Sequence, residues 1–132
     1  MPEPRRAITA VVNAPAGRLF VLATHLGLKF MERQRQCRRM STLADGSDLT
    51  TVVMGDFNDW MWPGSVQNVL AAKLPARTPH RTFPARFPLL SLDRIYCRPA
   101  SAFLSSRVDR TAGEISDHLP IIAEIRPETP EA

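Results

Sequence analysis

The feature that most constrains this chain is how its apolar residues are parcelled. They come in short runs: Ala7 to Val12, Arg18 to Thr24, Thr50 to Met54, Leu89 to Cys97 and Leu119 to Ile125. Runs of five to nine residues that favour β-branched side chains read as strands. None approaches the roughly 20 apolar residues of a membrane helix. Asn13-Ala-Pro-Ala-Gly17 supplies turn chemistry between the first two runs, which predicts a β-hairpin. From Lys29 to about Ala44 the residues change to helix formers, and Asp45-Gly46 is a fitting stop.

The remaining segments are less regular. Ser65 to Leu74, behind Pro63 and Gly64, reads as a short helix. Pro75 to Pro88 holds four prolines and no period, so it is expected as a long loop. Leu89 to Cys97 alternates as a strand should, with Leu92 and Asp93 on opposite faces. Ala102 to Val108 is a further strand candidate, and Pro120 opens the last one. About six strands and two helices make a mixed, layered α/β fold.

At 132 residues with 44% apolar and 23% charged side chains, the chain has the size and composition of one folded domain. That domain is expected over 1–126, with 127–132 a flexible tail whose two prolines and two acids have nothing to bury. The N-terminus, Met-Pro-Glu-Pro-Arg-Arg, is not followed by the apolar stretch of a secretory signal. Cys37 and Cys97 fit no metal-ligand spacing. Two buried free thiols in a reducing, cytoplasmic setting is the default reading, and one disulfide is the alternative. The net charge of +4 rests almost wholly on arginine. Guanidinium suits phosphate; an arginine-biased genome explains the excess as well. The basic cluster Arg33, Arg35, Arg38 and Arg39 reads as a solvated helix face, with phosphate-backbone contact as the alternative.

Ionisable groups concentrate in four short segments at predicted strand ends: Thr24-His25-Leu26, Gly55-Asp56-Phe57-Asn58-Asp59-Trp60, Leu92-Asp93-Arg94-Ile95 and Ser116-Asp117-His118-Leu119-Pro120. Each alone has a bland reading. An Asp after Gly is commonly a turn residue, and a His beside an apolar strand is commonly structural. Asp93, inside an apolar strand, is harder to dismiss because a buried carboxylate needs a partner.

Taken together and in this order, the four segments resemble the C-terminal half of the endonuclease/exonuclease/phosphatase (DNase I-like) superfamily. The resemblance runs from about Arg6 to Ile125. Gly-Asp-Phe-Asn and Ser-Asp-His-Leu-Pro are its most diagnostic pieces; Thr82-Phe83-Pro84 and Leu92-Asp93-Arg94-Ile95 look like a bacterial branch. The resemblance implies a layered β-sandwich flanked by helices and metal-dependent hydrolysis of a phosphate ester, of phosphodiesterase or nuclease type. By the same resemblance His118 contacts the scissile phosphate, Asp93 fixes its tautomer and favours the imidazolium, and Asp56 orients water. Asn58 holds a phosphate oxygen or anchors that carboxylate, and His25 donates to the phosphate or leaving oxygen. Asp117, with Asp56, is the expected metal pair, for Mg²⁺ with Mn²⁺ as a substitute. Trp60, Arg81 and Arg94 are the candidates for holding the rest of the substrate, be it nucleic acid, a lipid headgroup or a small diester.

The resemblance also has gaps. The family's N-terminal half supplies a metal-binding Glu and an Asn that match nothing here: Glu3 lies in no such motif, and Glu32 sits in the arginine-rich helix. Half a sandwich leaves an apolar face bare, which predicts association with itself or with another polypeptide. Two rival readings follow: a non-catalytic fragment or binding subunit with an incomplete metal site, and a basic nucleic-acid-binding module without chemistry.

Overall fold

A computed structural model describes residues 7–25, 30–57, 69–112 and 114–128, with the helix side chains described from residue 35 onward. Strand β1 (Ala7–Ala14) and strand β2 (Gly17–His25) form the expected antiparallel hairpin, Ala14 opposite Gly17. Helix α1 (Phe30–Asp45) carries the chain to strand β3 (Thr50–Asp56), which lies parallel to β2. A parallel neighbour cannot be reached by a tight turn, and the helix is the crossover that makes it possible.

The segment expected as a featureless loop after Pro75 is more ordered than its prolines suggest. Ala76–Arg77 form a two-residue edge strand, β4, on strand β5 (Asp93–Arg98). Thr78 extends the contact, its N–H donating to the Ile95 carbonyl at 3.0 Å. Strand β5 starts later than Leu89: Leu90 instead bridges to Phe83, and the Leu92 carbonyl accepts the Phe57 N–H at 2.8 Å. The chain then makes a 3-10 turn (Ala100–Ala102), strand β6 (Phe103–Val108), a second 3-10 turn (Arg110–Ala112) and strand β7 (Ile121–Ile125). Of the short helix expected over Ser65 to Leu74, residues 69–71 are described and helical.

The five-stranded sheet has the order β1-β2-β3-β5-β4, and β6-β7 form a separate two-stranded ribbon. Strand alternation sends side chains to two cores. Leu22, Val53 and Tyr96 on one face meet Cys37, Met40 and Ala44 of α1, with Phe57, Leu70 and Leu74. The helix contributes at spacings of three and four, as an amphipathic helix must, while Arg35, Arg38 and Arg39 stay exposed as a solvated face. On the other sheet face Val52 and Cys97 pack with Ala102, joined by Leu19, Val21, Met54, Ile95, Phe103 and Ile125. Each fully buried leucine contributes roughly 1.5–3 kcal/mol. The layered α/β arrangement is the one expected.

Cys37 and Cys97 are both free and buried, so the disulfide alternative falls. The Cys97 thiol is pushed up to about 11 by burial and by the charge of Glu128, which keeps it protonated. The loose tail expected from residue 127 is held at its start. Pro127 is buried and the Glu128 N–H donates to Thr50 Oγ1 at 2.9 Å, while residues 129–132 lie outside the described part.

Candidate active site

The register of the central sheet brings three of the expected residues into one row. His25 at the end of β2 pairs with Asp56 at the end of β3, and Asp56 pairs with Asp93 at the start of β5. Cross-strand partners share a sheet face, so a histidine and two carboxylates from distant stretches of sequence stand side by side. His25 Nε2 lies 3.3 Å from Asp56 Oδ2. The close approach of β2 and β3 depends on Gly55: a Cβ there would meet the Thr24 carbonyl oxygen at 1.7 Å, and its φ is +149°. Only glycine adopts that backbone without strain, which gives the Gly of Gly-Asp-Phe-Asn its physical reason.

His118 reaches the row from the loop before β7. Its Nδ1 lies 2.6 Å from Asp93 Oδ2 and its Nε2 3.8 Å from Asp56 Oδ2. An ionised carboxylate only accepts, so Nδ1 carries a proton and Nε2 faces Asp56. Burial by itself lowers the His118 pKa. The hydrogen bond and charge of Asp93, with the charges of Asp56 and Asp117, outweigh it, so the net direction is upward. This is the imidazolium-favouring effect expected of Asp93. The Phe83 ring packs on the imidazole with centroids 5.0 Å apart.

Sequence reading gave Thr82 no role, yet it belongs to this cluster. It is completely buried, and its hydroxyl donates to Asp93 Oδ2 at 2.6 Å. The signal in the sequence was the segment Thr82-Phe83-Pro84, which carried the resemblance to a bacterial branch but assigned the threonine no task.

The other expected residues divide. Asp117 is exposed, and its carbonyl accepts the Ala85 N–H at 2.8 Å. Among the described residues, the group whose ligand atoms lie within 4.8 Å of one another is Asp56, Asp93 and His118, and Asp117 is not in it. Asp117 sits outside that group, on the loop before β7 that also carries His118, with its charge near enough to favour the charged form of that imidazole. Asp117 instead lines an open cleft of about 400 Å³ with Pro84, Arg86 and Glu114. Arg81 is exposed beside Thr82. Arg94 corrects the expectation that it touches substrate. One position after Asp93 in a strand, it points to the opposite face, is 8% exposed, and donates through Nη1 to the Tyr96 hydroxyl at 3.2 Å. Asn58 and Trp60 lie outside the described residues.

The geometry can be set beside known proteins. "Uncharacterized protein YbhP" of Escherichia coli (strain K12) is 39% identical over 118 residues, covering 81% of this chain and 46% of that protein. The chain thus spans about half the length of the curated relatives it matches. A Bacteroides vulgatus endonuclease/exonuclease/phosphatase structure superimposes with a TM-score of 0.71 at 18% identity, over 90% of this chain and 54% of that one. The D. rerio TDP2 complex with a single-strand DNA product gives 0.63 at 19%, over 95% and 62%. At such identities these two speak for the fold alone. The family model matches residues 10–118, and with it the order of the His25, Asp56, Asp93 and His118 segments is accounted for: the chain belongs to the Endonuclease/Exonuclease/phosphatase family.

Proposed function

We propose that this site serves metal-dependent hydrolysis of a phosphodiester, by water attacking in line at phosphorus. Family membership supports phosphoester hydrolysis as the reaction class. The observation that carries the reading is the row His25–Asp56–Asp93 with His118 held against it by Asp93. Phosphoryl transfer asks for positioning and for stabilisation of spreading negative charge. His118, its Nδ1 bound to Asp93, presents Nε2 to the space beside Asp56, where it stabilises that charge or takes the water's proton. Asp56 orients the water, and His25, more than half exposed at its side chain, donates to the phosphate or leaving oxygen.

The ligand atoms of Asp56, Asp93 and His118 lie close enough together to hold one divalent cation, and the exposed carboxylate of Asp117 is proposed to ligate the ion or hold its waters. Oxygen donors suit Mg²⁺, and a mixed oxygen and imidazole set accepts Mn²⁺ as well. Such an ion, when bound, polarises the phosphoryl group and steadies the leaving oxygen.

For the substrate we propose a nucleic acid. The D. rerio neighbour holds a single-strand DNA product, the chain carries a net positive charge, and Arg86 lines the cleft beside Asp117. Trp60 and the exposed Arg81 are the proposed contacts to the rest of the strand. We place the protein in a reducing compartment such as the cytoplasm, on the support of its two buried free thiols. No helix among the described residues is long and apolar enough to cross a membrane. A partner, a second copy or another polypeptide, is proposed to complete the site and cover β1.

Hydrolysis of bis(p-nitrophenyl) phosphate with Mg²⁺ or Mn²⁺, and then with EDTA, tests the reading. Turnover lost in EDTA and reduced roughly 10²-fold or more in His118→Ala and Asp56→Ala is expected. Turnover indifferent to both substitutions overturns it. No turnover from a folded sample favours instead the non-catalytic, binding role.

A further inference from the structure

We propose that Thr82 is the positioning residue of this site: one buried threonine sets the Asp93 carboxylate and the His118 segment together. Every polar atom of Thr82 is engaged. Its N–H donates to the Leu90 carbonyl at 2.9 Å and its carbonyl accepts the Leu119 N–H at 2.8 Å. Its hydroxyl oxygen accepts the Asp93 backbone N–H at 3.3 Å, while the hydroxyl proton goes to Asp93 Oδ2 at 2.6 Å.

The last two bonds form a closed ring through Asp93 itself. With the amide N–H on the hydroxyl oxygen, the hydroxyl proton is directed at the carboxylate, and the carboxylate is tethered relative to its own backbone. The same Oδ2 atom takes His118 Nδ1 at 2.6 Å. Two donors on one oxygen must approach along different lone-pair directions. The hydroxyl therefore dictates the direction left for the imidazole. Meanwhile the Thr82 carbonyl fixes the chain immediately after His118, and the neighbouring Ala85 N–H fixes Asp117. One residue thus holds both members of the pair, one by its side chain and the other by its backbone.

The proposal rests on the reading of His118 as the working imidazole of the site, but its first test needs no substrate. The His118 ring nitrogens and the Nδ1 proton are observed by ¹⁵N-resolved NMR in alkaline buffer, where the imidazole is neutral. Wild type, Thr82→Ser and Thr82→Val are compared. A downfield Nδ1 proton and a single Nδ1–H tautomer are expected in wild type and in the Ser variant. In the Val variant the proton moves upfield and the second tautomer is populated. Val matching wild type, or Ser matching Val, overturns the proposal. Should Val fail to fold, as judged by amide dispersion, Thr82→Cys takes its place: a weak donor at that position is expected to shift the Nδ1 proton upfield, and an unshifted one overturns the proposal. Where turnover is measurable, kcat is expected to fall about ten- to a hundredfold in the Val variant with KM unchanged. A changed KM at constant kcat speaks against positioning. Absence of turnover in every protein, wild type included, alongside the expected NMR pattern leaves Thr82's role standing and counts against catalysis by this chain alone.

Discussion

At Gly55 the smallest side chain decides the closest approach in the sheet. A methyl group there collides with the backbone oxygen of Thr24 and forces the glycine-only φ onto an alanine. Gly55→Ala is expected to cost on the order of 3 kcal/mol or more, read as a lower midpoint in urea; a midpoint within 0.5 M urea or so of wild type contradicts this. His118 makes a prediction of opposite character. Its pKa is raised in the folded state, so its stabilising effect is fully present below the ordinary imidazole value of about 6.5 and is lost as pH rises through the raised value. In metal-free buffer the melting temperature of wild type should drop more between pH 6 and pH 8 than that of His118→Gln. Equal drops in the two proteins rule this out.

Among the elements, the join between α1 and β5 matters most for holding the helix on the sheet. Arg98, the last residue of β5, sends Nη2 to the Ala44 and Ser47 carbonyls at 2.5 and 2.7 Å, at the end of α1. The Ala44 carbonyl, in the last turn of α1, also accepts the Ser47 N–H at 3.3 Å, and a cation at this end suits the helix dipole. The accompanying ion pairs of Asp45 with Arg98 and Lys73 are solvent-exposed and contribute little. Arg98→Ala is therefore expected to destabilise by about 2 kcal/mol through the lost charged hydrogen bonds, whereas Lys73→Ala stays near wild type. Thermal melts of the two variants separate these effects, and equal losses would contradict the assignment. The expected helix and hairpin were legible because each is written in local signals: helix formers followed by Asp-Gly, and two apolar runs around a turn. Strand β4 was not, because two residues carry no period and their pairing comes from β5.

For the whole molecule, the sheet has an uncovered side. Strand β1 is exposed along nearly its full length, with Ile8 70%, Val11 48% and Val12 42% accessible. By register Ile8 and Val12 sit opposite Ala23 and Leu19 on the face that β6-β7 cover farther along, while Val11 lies on the helix face. The edge has no charged residue between Ala7 and Ala14, the usual guard against strand pairing. Association is the expected outcome: light scattering at micromolar concentration should give a mass above that of one chain, and Val11→Lys should lower it. A sharp monomer peak for the unsubstituted protein contradicts this.

What the sequence determined by itself was the family and the residue types of its chemistry. Those reside in short segments, Gly-Asp-Phe-Asn and Ser-Asp-His-Leu-Pro, whose composition and order need no neighbour to be read. The tertiary structure decided which of those residues meet. Asp56 and Asp93 are 37 positions apart, yet the antiparallel pairing of β3 and β5 makes them partners. Asp93 and Arg94 are adjacent, yet the two-residue period of a strand turns one to the site and the other into the core. Thr82 entered because a half-buried carboxylate needs donors on its shielded lone pairs, and which donor fills them is set by packing across the sheet.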